Sequence, residues 1–468
     1  MPENAPYNLD NASFRDSVAT IGDDGKRNWI YPKKPSGRYH TYRLIASIVF
    51  LSFLFTGPFL QIDGHPMFLF NILERKFIIF GFPFWPQDFF LFVLAMLTFF
   101  VFIILFTAIF GRLWCGWACP QTIFMEMVFR KIEYWIEGDA GSQKKLNNQN
   151  WTSEKIAKKA SKHFLFFLIS FIISNTFLAY IIGVERLWQL MEHGPARHSG
   201  TFIALVLFTS VFYGVFSRFR EQVCLVVCPY GRLQGVLLDR NSVVIAYDYT
   251  RGEQRGKITK NSVRKEGDCI DCSLCVQVCP TGIDIRNGTQ LECVNCTACI
   301  DACDHVMDKV GFEKGLIRYA SENEIANKSK FKFTGRIAGY SLVLAVLFTV
   351  LASFVAFRSD VEATILRTPG QLYQLIGEDS ISNLYNIQLV NKTFKDIPVT
   401  LVLNGFKGKI RYVGNELSDL KRDSVSSAVF FLVLPRNEID QSKTKVSFTL
   451  SSEGKPLQNI ETYFMGVK

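Results

Sequence analysis

Long runs of Phe, Leu, Ile and Val alternate along the chain with short polar segments, and five of these runs reach the roughly 20 residues that a helix needs to cross a bilayer. They are Tyr42–Ile62, Asp88–Gly111, His163–Gly183, Thr201–Phe219 and Gly335–Phe357. The stretch Pro66–Phe84 is also apolar, but Glu74, Arg75, Lys76, Gly81 and Pro83 interrupt it, so it is expected to lie at the interface or re-enter rather than span. Beyond Phe357 the period changes. Alternating β-branched and apolar positions predict strands over Val361–Leu366, Ser382–Val390, Pro398–Leu403, Lys409–Val413, Ala428–Leu434, Lys445–Leu450 and Ile460–Met465. Turn pairs at Asn404-Gly405, Gly414-Asn415 and Glu453-Gly454 separate them, and this density of short strands implies an immunoglobulin-like sandwich. The triplet Asn391-Lys392-Thr393 spells a glycosylation acceptor, but it falls at a strand-turn boundary and is read as chance.

Charge orients the spans. Arg112, Arg130, Lys131, Lys144, Lys145, Lys155, Lys158, Lys159 and Lys162 follow the second run, whereas only Arg186 and Arg197 follow the third. Short loops rich in Lys and Arg stay on the cytoplasmic side, which predicts a bacterial inner-membrane protein with a cytoplasmic N-terminus and a periplasmic C-terminal part. The polar first forty residues lack a short apolar core with a small-residue cleavage site, so no removable signal peptide is expected. The run Lys155–Lys162 reads as a solvated helix face beside lipid headgroups. The net charge of +10 is thus explained by membrane orientation, and no nucleic-acid motif accompanies it.

All twelve cysteines fall between Cys115 and Cys303, which places the chemistry in the middle of the chain. The run Cys269-x2-Cys272-x2-Cys275-x3-Cys279-Pro280 is followed by Cys293-x2-Cys296-x2-Cys299-x3-Cys303. This is the two-cluster ferredoxin spacing, in which the fourth cysteine of each run reaches the other 4Fe-4S cluster. Cys269, Cys272, Cys275 and Cys303 are therefore expected to hold one cluster, and Cys293, Cys296, Cys299 and Cys279 the other. Zinc also takes paired C-x-x-C motifs, but not normally a four-cysteine run of this spacing twice over. Asp304 stands after the second run where Pro280 stands after the first, which makes one surround more polar.

Two further pairs, Cys115-x3-Cys119-Pro120 and Cys224-x3-Cys228-Pro229, each follow an even-numbered span. Their spacing predicts two sulfurs on one helical face, with each proline ending or kinking the helix. Buried cysteine is often mere packing; twice at the same spacing, on the same side and before proline, it points to chemistry. Four soft thiolates suit Cu(I), can cycle as redox groups, or can contact a quinone headgroup. The six histidines, His40, His65, His163, His193, His198 and His305, show no ligand spacing and are read as interfacial or surface residues.

The expected architecture is thus a polytopic α-helical membrane protein with five transmembrane helices, a ferredoxin-like two-cluster 4Fe-4S insertion and a C-terminal immunoglobulin-like β-sandwich. Its boundaries are expected at 1–40, 41–220 for four helices, 221–334 for the cluster domain, 335–357 for the fifth helix and 358–468 for the sandwich.

The segments Arg112–Thr122, Cys224–Gln234, Cys269–Pro280 and Leu291–Cys303, with Leu73-Glu-Arg-Lys76 and Trp85-Pro-Gln-Asp88, resemble the CcoG/FixG/RdxA family of cytochrome c oxidase accessory proteins over most of the chain. Asp304 also matches that family. The resemblance implies assembly of a cbb-type haem-copper oxidase through reduction of Cu(II) to Cu(I), with Cys115, Cys119, Cys224 and Cys228 as the candidate catalytic groups. Implied partners are membrane lipid, oxidase subunits or copper chaperones, and a cytoplasmic or quinol electron donor. A quinol-oxidising electron-transfer subunit and a non-enzymatic assembly scaffold are the alternatives.

Overall fold

The computed structural model describes residues 20–21, 26–62, 64–72, 76–85, 88–194, 199–258, 266–328, 334–370, 372–377, 379–414, 417, 419–439 and 441–466. Leu73–Arg75, Pro86-Gln87, Asn415, Arg197 and His198 lie outside the described residues. Five helices are long and apolar enough to cross a membrane: Arg38–Phe59, Phe89–Phe110, Ser153–Ile182, Ser199–Phe219 and Gly335–Ala356. Their apolar side chains are largely exposed, as lipid-facing helices require, with Phe89, Ile203, Leu342 and Phe348 all above 60% exposure.

Two compact units divide the chain: Met1–Phe59 with Ala95–Phe348, and Leu60–Leu94 with Thr349–Lys468. In the first unit the third span starts ten residues earlier than the apolar pattern predicts. Thr152 caps it by accepting from the Lys155 amide at 3.3 Å. The lysines of that first stretch do not form a solvated face. Lys155 and Lys162 are buried, Lys155 Nζ donates to the Asn147 and Gln149 carbonyls at 2.9 and 2.6 Å, and Lys162 pairs with Glu137 at 2.8 Å and Glu133 at 3.5 Å. The carboxylates come from the helical segment after Cys119, too distant in sequence for any helical period to reveal them. Arg130 and Arg220 extend this buried ion cluster: Arg130 lies 3.3 Å from Glu126 and 3.5 Å from Glu221, and Arg220 chelates Glu133.

The cluster-bearing part of the same unit is small. Val244–Tyr247 pairs antiparallel with Ile317–Ala320, and the helix Ala298–Val310 packs on that ribbon. Ile245, Tyr247, Ile300, Met307, Leu316 and Ile317 form one core with Cys269, Cys275 and Cys299. This domain is anchored to the first span through Asp301, whose carboxylate accepts from the Tyr39 and His40 amides at 3.0 and 2.7 Å. Those are orphan donors in the first turn of the Arg38–Thr56 helix, so a residue of the ferredoxin motif caps a membrane helix.

In the second unit the stretch read as interfacial is built of strands. Gln61–Ile62 pairs with His65–Pro66, and Phe68–Asn71, Lys76–Ile79 and Phe82–Phe84 form a three-stranded antiparallel sheet. The C-terminal strands form a sandwich. One sheet orders Lys409–Val413, Ser424–Pro435, Ser380–Asn391 and Val361–Arg367, with Gln374–Ile376 also paired to Ser380–Asn391. The other orders Thr400–Asn404, Lys443–Ser452 and Lys455–Met465. All seven expected strands are present, mostly longer than the pattern showed. The short Gln374–Ile376 and Asp419–Leu420 were missed because three and two residues are too few to display a period. Asn391 is fully buried and its Nδ2 donates to the Lys395, Leu420 and Lys421 carbonyls, so the glycosylation triplet is a structural turn.

Asp88 is a second buried tie in this unit. It accepts from Lys392 and Arg358, each at 2.6 Å, and Lys392 also meets Glu362 at 2.6 Å. Burial alone raises the Asp88 pKa; the Lys392 hydrogen bond and the Arg358 charge outweigh it and hold the carboxyl below its usual range.

Candidate iron-sulfur centres and a four-cysteine site

Each ferredoxin run is wrapped by the same backbone device. The residues flanking the second cysteine are left-handed: Asp271 and Ser273 have φ of 50° and 55°, Asn295 and Thr297 of 53° and 62°. Non-glycine residues adopt this region rarely, Asp and Asn most readily, and two such residues around one cysteine curl three sulfurs around a common point. The first run then stops at Pro280, whereas Cys303 lies inside the Ala298–Val310 helix, because Asp304 keeps the amide that proline lacks. The Asp304 side chain accepts from the Gly315 amide at 2.9 Å, so its polarity serves a loop contact.

Two small cavities follow from this wrapping. Cys269, Cys272, Cys275 and Cys303 line one, with Tyr247, Leu274, Arg286 and Met307. Cys279, Cys293, Cys296 and Cys299 line the other, with Ile245, Ile283, Ile285 and Val294, and Cys275 borders both. The fourth cysteine of each run thus lies with the other run's triplet, the crossed arrangement that the spacing predicts. Among the described residues no three His, Cys, Asp or Glu side chains close on a single metal ion. Four thiols converging on each cavity, from a C-x2-C-x2-C-x3-C run used twice, are the donor set of a 4Fe-4S core. When bound, two such clusters supply one-electron transfer.

The paired motifs do not place their sulfurs on one helical face. In each, the second cysteine sits outside the helix in extended conformation, with ψ of 123° at Cys119 and 112° at Cys228, and the proline occupies the first position of the next helix. The proline starts a helix here. Proline at that position gives up a hydrogen bond that no helix would make, and it forces the preceding residue out of the helical region. Both cysteines close the turn behind them alike, Cys119 N–H to the Trp114 carbonyl at 2.9 Å and Cys228 N–H to the Val223 carbonyl at 2.8 Å, each five residues back. The two motifs are therefore a structural repeat.

They also come together. Gln234, fully buried on the Pro229–Leu237 helix, donates from Nε2 to Cys115 Sγ at 3.4 Å, and its Oε1 accepts from the same thiol at 3.5 Å. Arg112 donates to the Gly231 and Leu291 carbonyls, joining the first motif to the second and to the start of the second ferredoxin run. A Cβ on Gly231 would come within 2.6 Å of the Cys224 carbonyl oxygen and 4.0 Å of Cys228 Cβ. Burial pushes the Cys115 thiol up to about 11, with Cys119 and Cys228 adding to the rise, and Cys224 up to about 12, with Cys119, Cys115 and Cys228 contributing. All four cysteines thus share one site and are free of disulfides. In the ferredoxin runs, burial raises the Cys275, Cys293 and Cys303 thiols to about 12.

The four-cysteine site abuts the second cluster cradle. A Cβ on Gly116 would collide with the Asn295 carbonyl, and buried Arg43 of the first span donates to the Gly116 carbonyl at 2.9 Å and the Cys296 carbonyl at 2.7 Å. Arg43, Arg112 and Gln234 were not assigned roles from sequence, since neither spacing nor residue type singles them out. None of four histidines shares a ligand set with another: the His40 amide donates to Asp301, His163 meets the Tyr213 hydroxyl at 2.8 Å, His193 meets the Gln189 carbonyl at 2.8 Å, and His305 is exposed. His65 stacks on Phe394 with ring centroids 3.7 Å apart.

The site and the five helices define an integral membrane iron-sulfur protein. Residues 219–322 match a family model described as a 4Fe-4S dicluster domain, residues 92–141 one described as a 4Fe-4S binding domain, and residues 351–467 the Ig-like fold at the C-terminus of FixG. The chain belongs to the FixG/RdxA family. It is 34% identical to protein RdxB of Cereibacter sphaeroides, covering 78% of this chain and 80% of that one. It is 30% identical to the nitrogen fixation protein FixG of Rhizobium meliloti, covering 94% and 92%, and 33% identical to RdxA of Cereibacter sphaeroides, covering 82% and 83%. The crystal structure of a FixG-related protein from Vibrio parahaemolyticus aligns at 18% identity and a TM-score of 0.21 over 23% of this chain and 98% of that chain.

Proposed function

We propose that this protein carries electrons through two clusters held by the ferredoxin cysteines to the site of Cys115, Cys119, Cys224 and Cys228, where Cu(II) is reduced to Cu(I) for assembly of a cbb-type oxidase. The observation that carries this reading is the junction between the second cluster cradle and the four-cysteine site, made by Gly116 against Asn295 and bridged by Arg43. Arg43 and Arg112 hold the two elements at fixed separation, and their charges favour electron-rich centres nearby. A sulfur-rich exit suits copper, since soft ligands prefer the cuprous product. The Lys and Arg distribution supports a cytoplasmic cluster domain and a periplasmic sandwich. Oxidase subunits or copper chaperones are the partners this reading asks for.

Purified protein, reduced chemically and mixed with Cu(II), is expected to form one Cu(I) per electron stored, read with a cuprous chelator. Turnover with a quinone analogue but not with copper would move the function to quinol oxidation; dispensable cluster redox state in cells would make the protein a scaffold. Reporter fusions after Asn147 and Gly288 are expected to report cytoplasm, and a fusion after Glu192 periplasm.

A further inference from the structure

We infer that Cys115, Cys119, Cys224 and Cys228 together hold a third 4Fe-4S cluster, built from two half-sites that lie on different helix ends. This rests on the reading that electrons leave the protein at this site, and it names what occupies it. Copper then meets a sulfur-rich cluster that gives up one electron: the reduced cluster is oxidised by one electron as Cu(II) becomes Cu(I), and the soft sulfur surface favours the cuprous product.

Three observations converge. The region matched as a 4Fe-4S binding domain, residues 92–141, contains only Cys115 and Cys119, half of a cubane's ligand set. The dicluster match, residues 219–322, contains Cys224 and Cys228 beyond the eight cysteines that two clusters use. Gln234 against Cys115 and Arg112 on the Gly231 carbonyl join the two halves. The matched Cys-Pro backbones present Cys119 and Cys228 from equivalent turns. The Gln234 amide donating to Cys115 Sγ is the kind of N–H···S contact that sets a cluster's potential.

The test uses the full chain, purified anaerobically in detergent and reconstituted with iron and sulfide. Wild type is expected to hold about twelve iron and twelve sulfide, against about eight for two cubanes. The variants Cys115→Ser/Cys119→Ser and Cys224→Ser/Cys228→Ser should each lose about four iron, and combining them should lose no more, because either half alone cannot keep the cluster. Unchanged electron paramagnetic resonance signals from the two ferredoxin clusters would show that these variants fold. Gln234→Leu should keep all the iron and shift the potential of one centre out of three. About eight iron in wild type, with pair variants that lose none, overturns the proposal. If those same samples bind Cu(I) at the four cysteines and reduce Cu(II), the copper function stands without the third cluster. Twelve iron without cupric reduction is the reverse case: the cluster stands and the copper function falls.

Discussion

The ferredoxin runs and the paired motifs use the same residue in opposite ways. In the runs, three cysteines within seven residues bend around one point, helped by left-handed Asp271, Ser273, Asn295 and Thr297, and a single reach by Cys279 or Cys303 completes each set. In the pairs, no segment holds more than half a site. Cys115 and Cys224 follow different spans and meet only because Gln234, Gly231 and Arg112 bring the helix ends together. A local site depends on loop conformation; a split site depends on helix packing. The first should survive changes in packing that abolish the second.

Crossed ligation gives the largest expected effect. Cys279→Ser should cost about four iron from the centre held by Cys293, Cys296 and Cys299 and spare the centre of its own run, as cluster-resolved paramagnetic spectra would show. Loss from its own run would mean the two runs fold as independent units. Next comes the junction. Gly116→Val drives a side chain into the Asn295 carbonyl, and overpacking of this kind costs roughly 1–3 kcal/mol. The two ferredoxin centres should still form, while their reoxidation by Cu(II) slows in stopped flow; an unchanged rate would show that electrons leave elsewhere.

Arg43→Gln tests the same contact more gently. It leaves two buried carbonyls short of a charged donor, worth about 1–3 kcal/mol, and it removes a positive charge beside Cys296. The thermal midpoint should fall, and only the centre nearer the four-cysteine site should become harder to reduce in a redox titration. Smallest is Asp301→Asn, which keeps the shape but weakens the anionic cap on the first span by about 0.3–1 kcal/mol. Its iron content should match wild type, and only the melting temperature should move.

The C-terminal unit offers a pH test of an unrelated tie. Asp88 has a lowered pKa in the folded state, so its pairing stabilises the unit at neutral pH and that contribution is lost as pH falls through the lowered value, in acid below about pH 4. Asp88→Asn should remove this part of the acid sensitivity, measured as the pH dependence of proteolysis within residues 349–468.

Much of this was legible in the chain itself. Spans of apolar residues, alternating strands and each four-cysteine run are written within windows of about 5 to 25 residues, where period and composition have direct physical meaning. The interfacial stretch 66–84 was less so, because short paired strands lack a period of their own. The lysines of the third span were misread for a related reason: whether Lys162 faces lipid headgroups or Glu137 is settled by a carboxylate on another helix.

By itself the sequence determined that this is a membrane protein with two ferredoxin-type cradles and a β-rich C-terminal segment, since each of those depends on neighbours in the chain. Only the tertiary structure decided that Pro120 and Pro229 begin helices, that Cys115, Cys119, Cys224 and Cys228 form one site, and that Arg43 and Gly116 set it against the second cradle. The physical reason is range. Thiols joined by three or fewer intervening residues are brought together by backbone dihedrals, whereas the two halves of the four-cysteine site are brought together by buried polar contacts between helix ends, which no local pattern encodes.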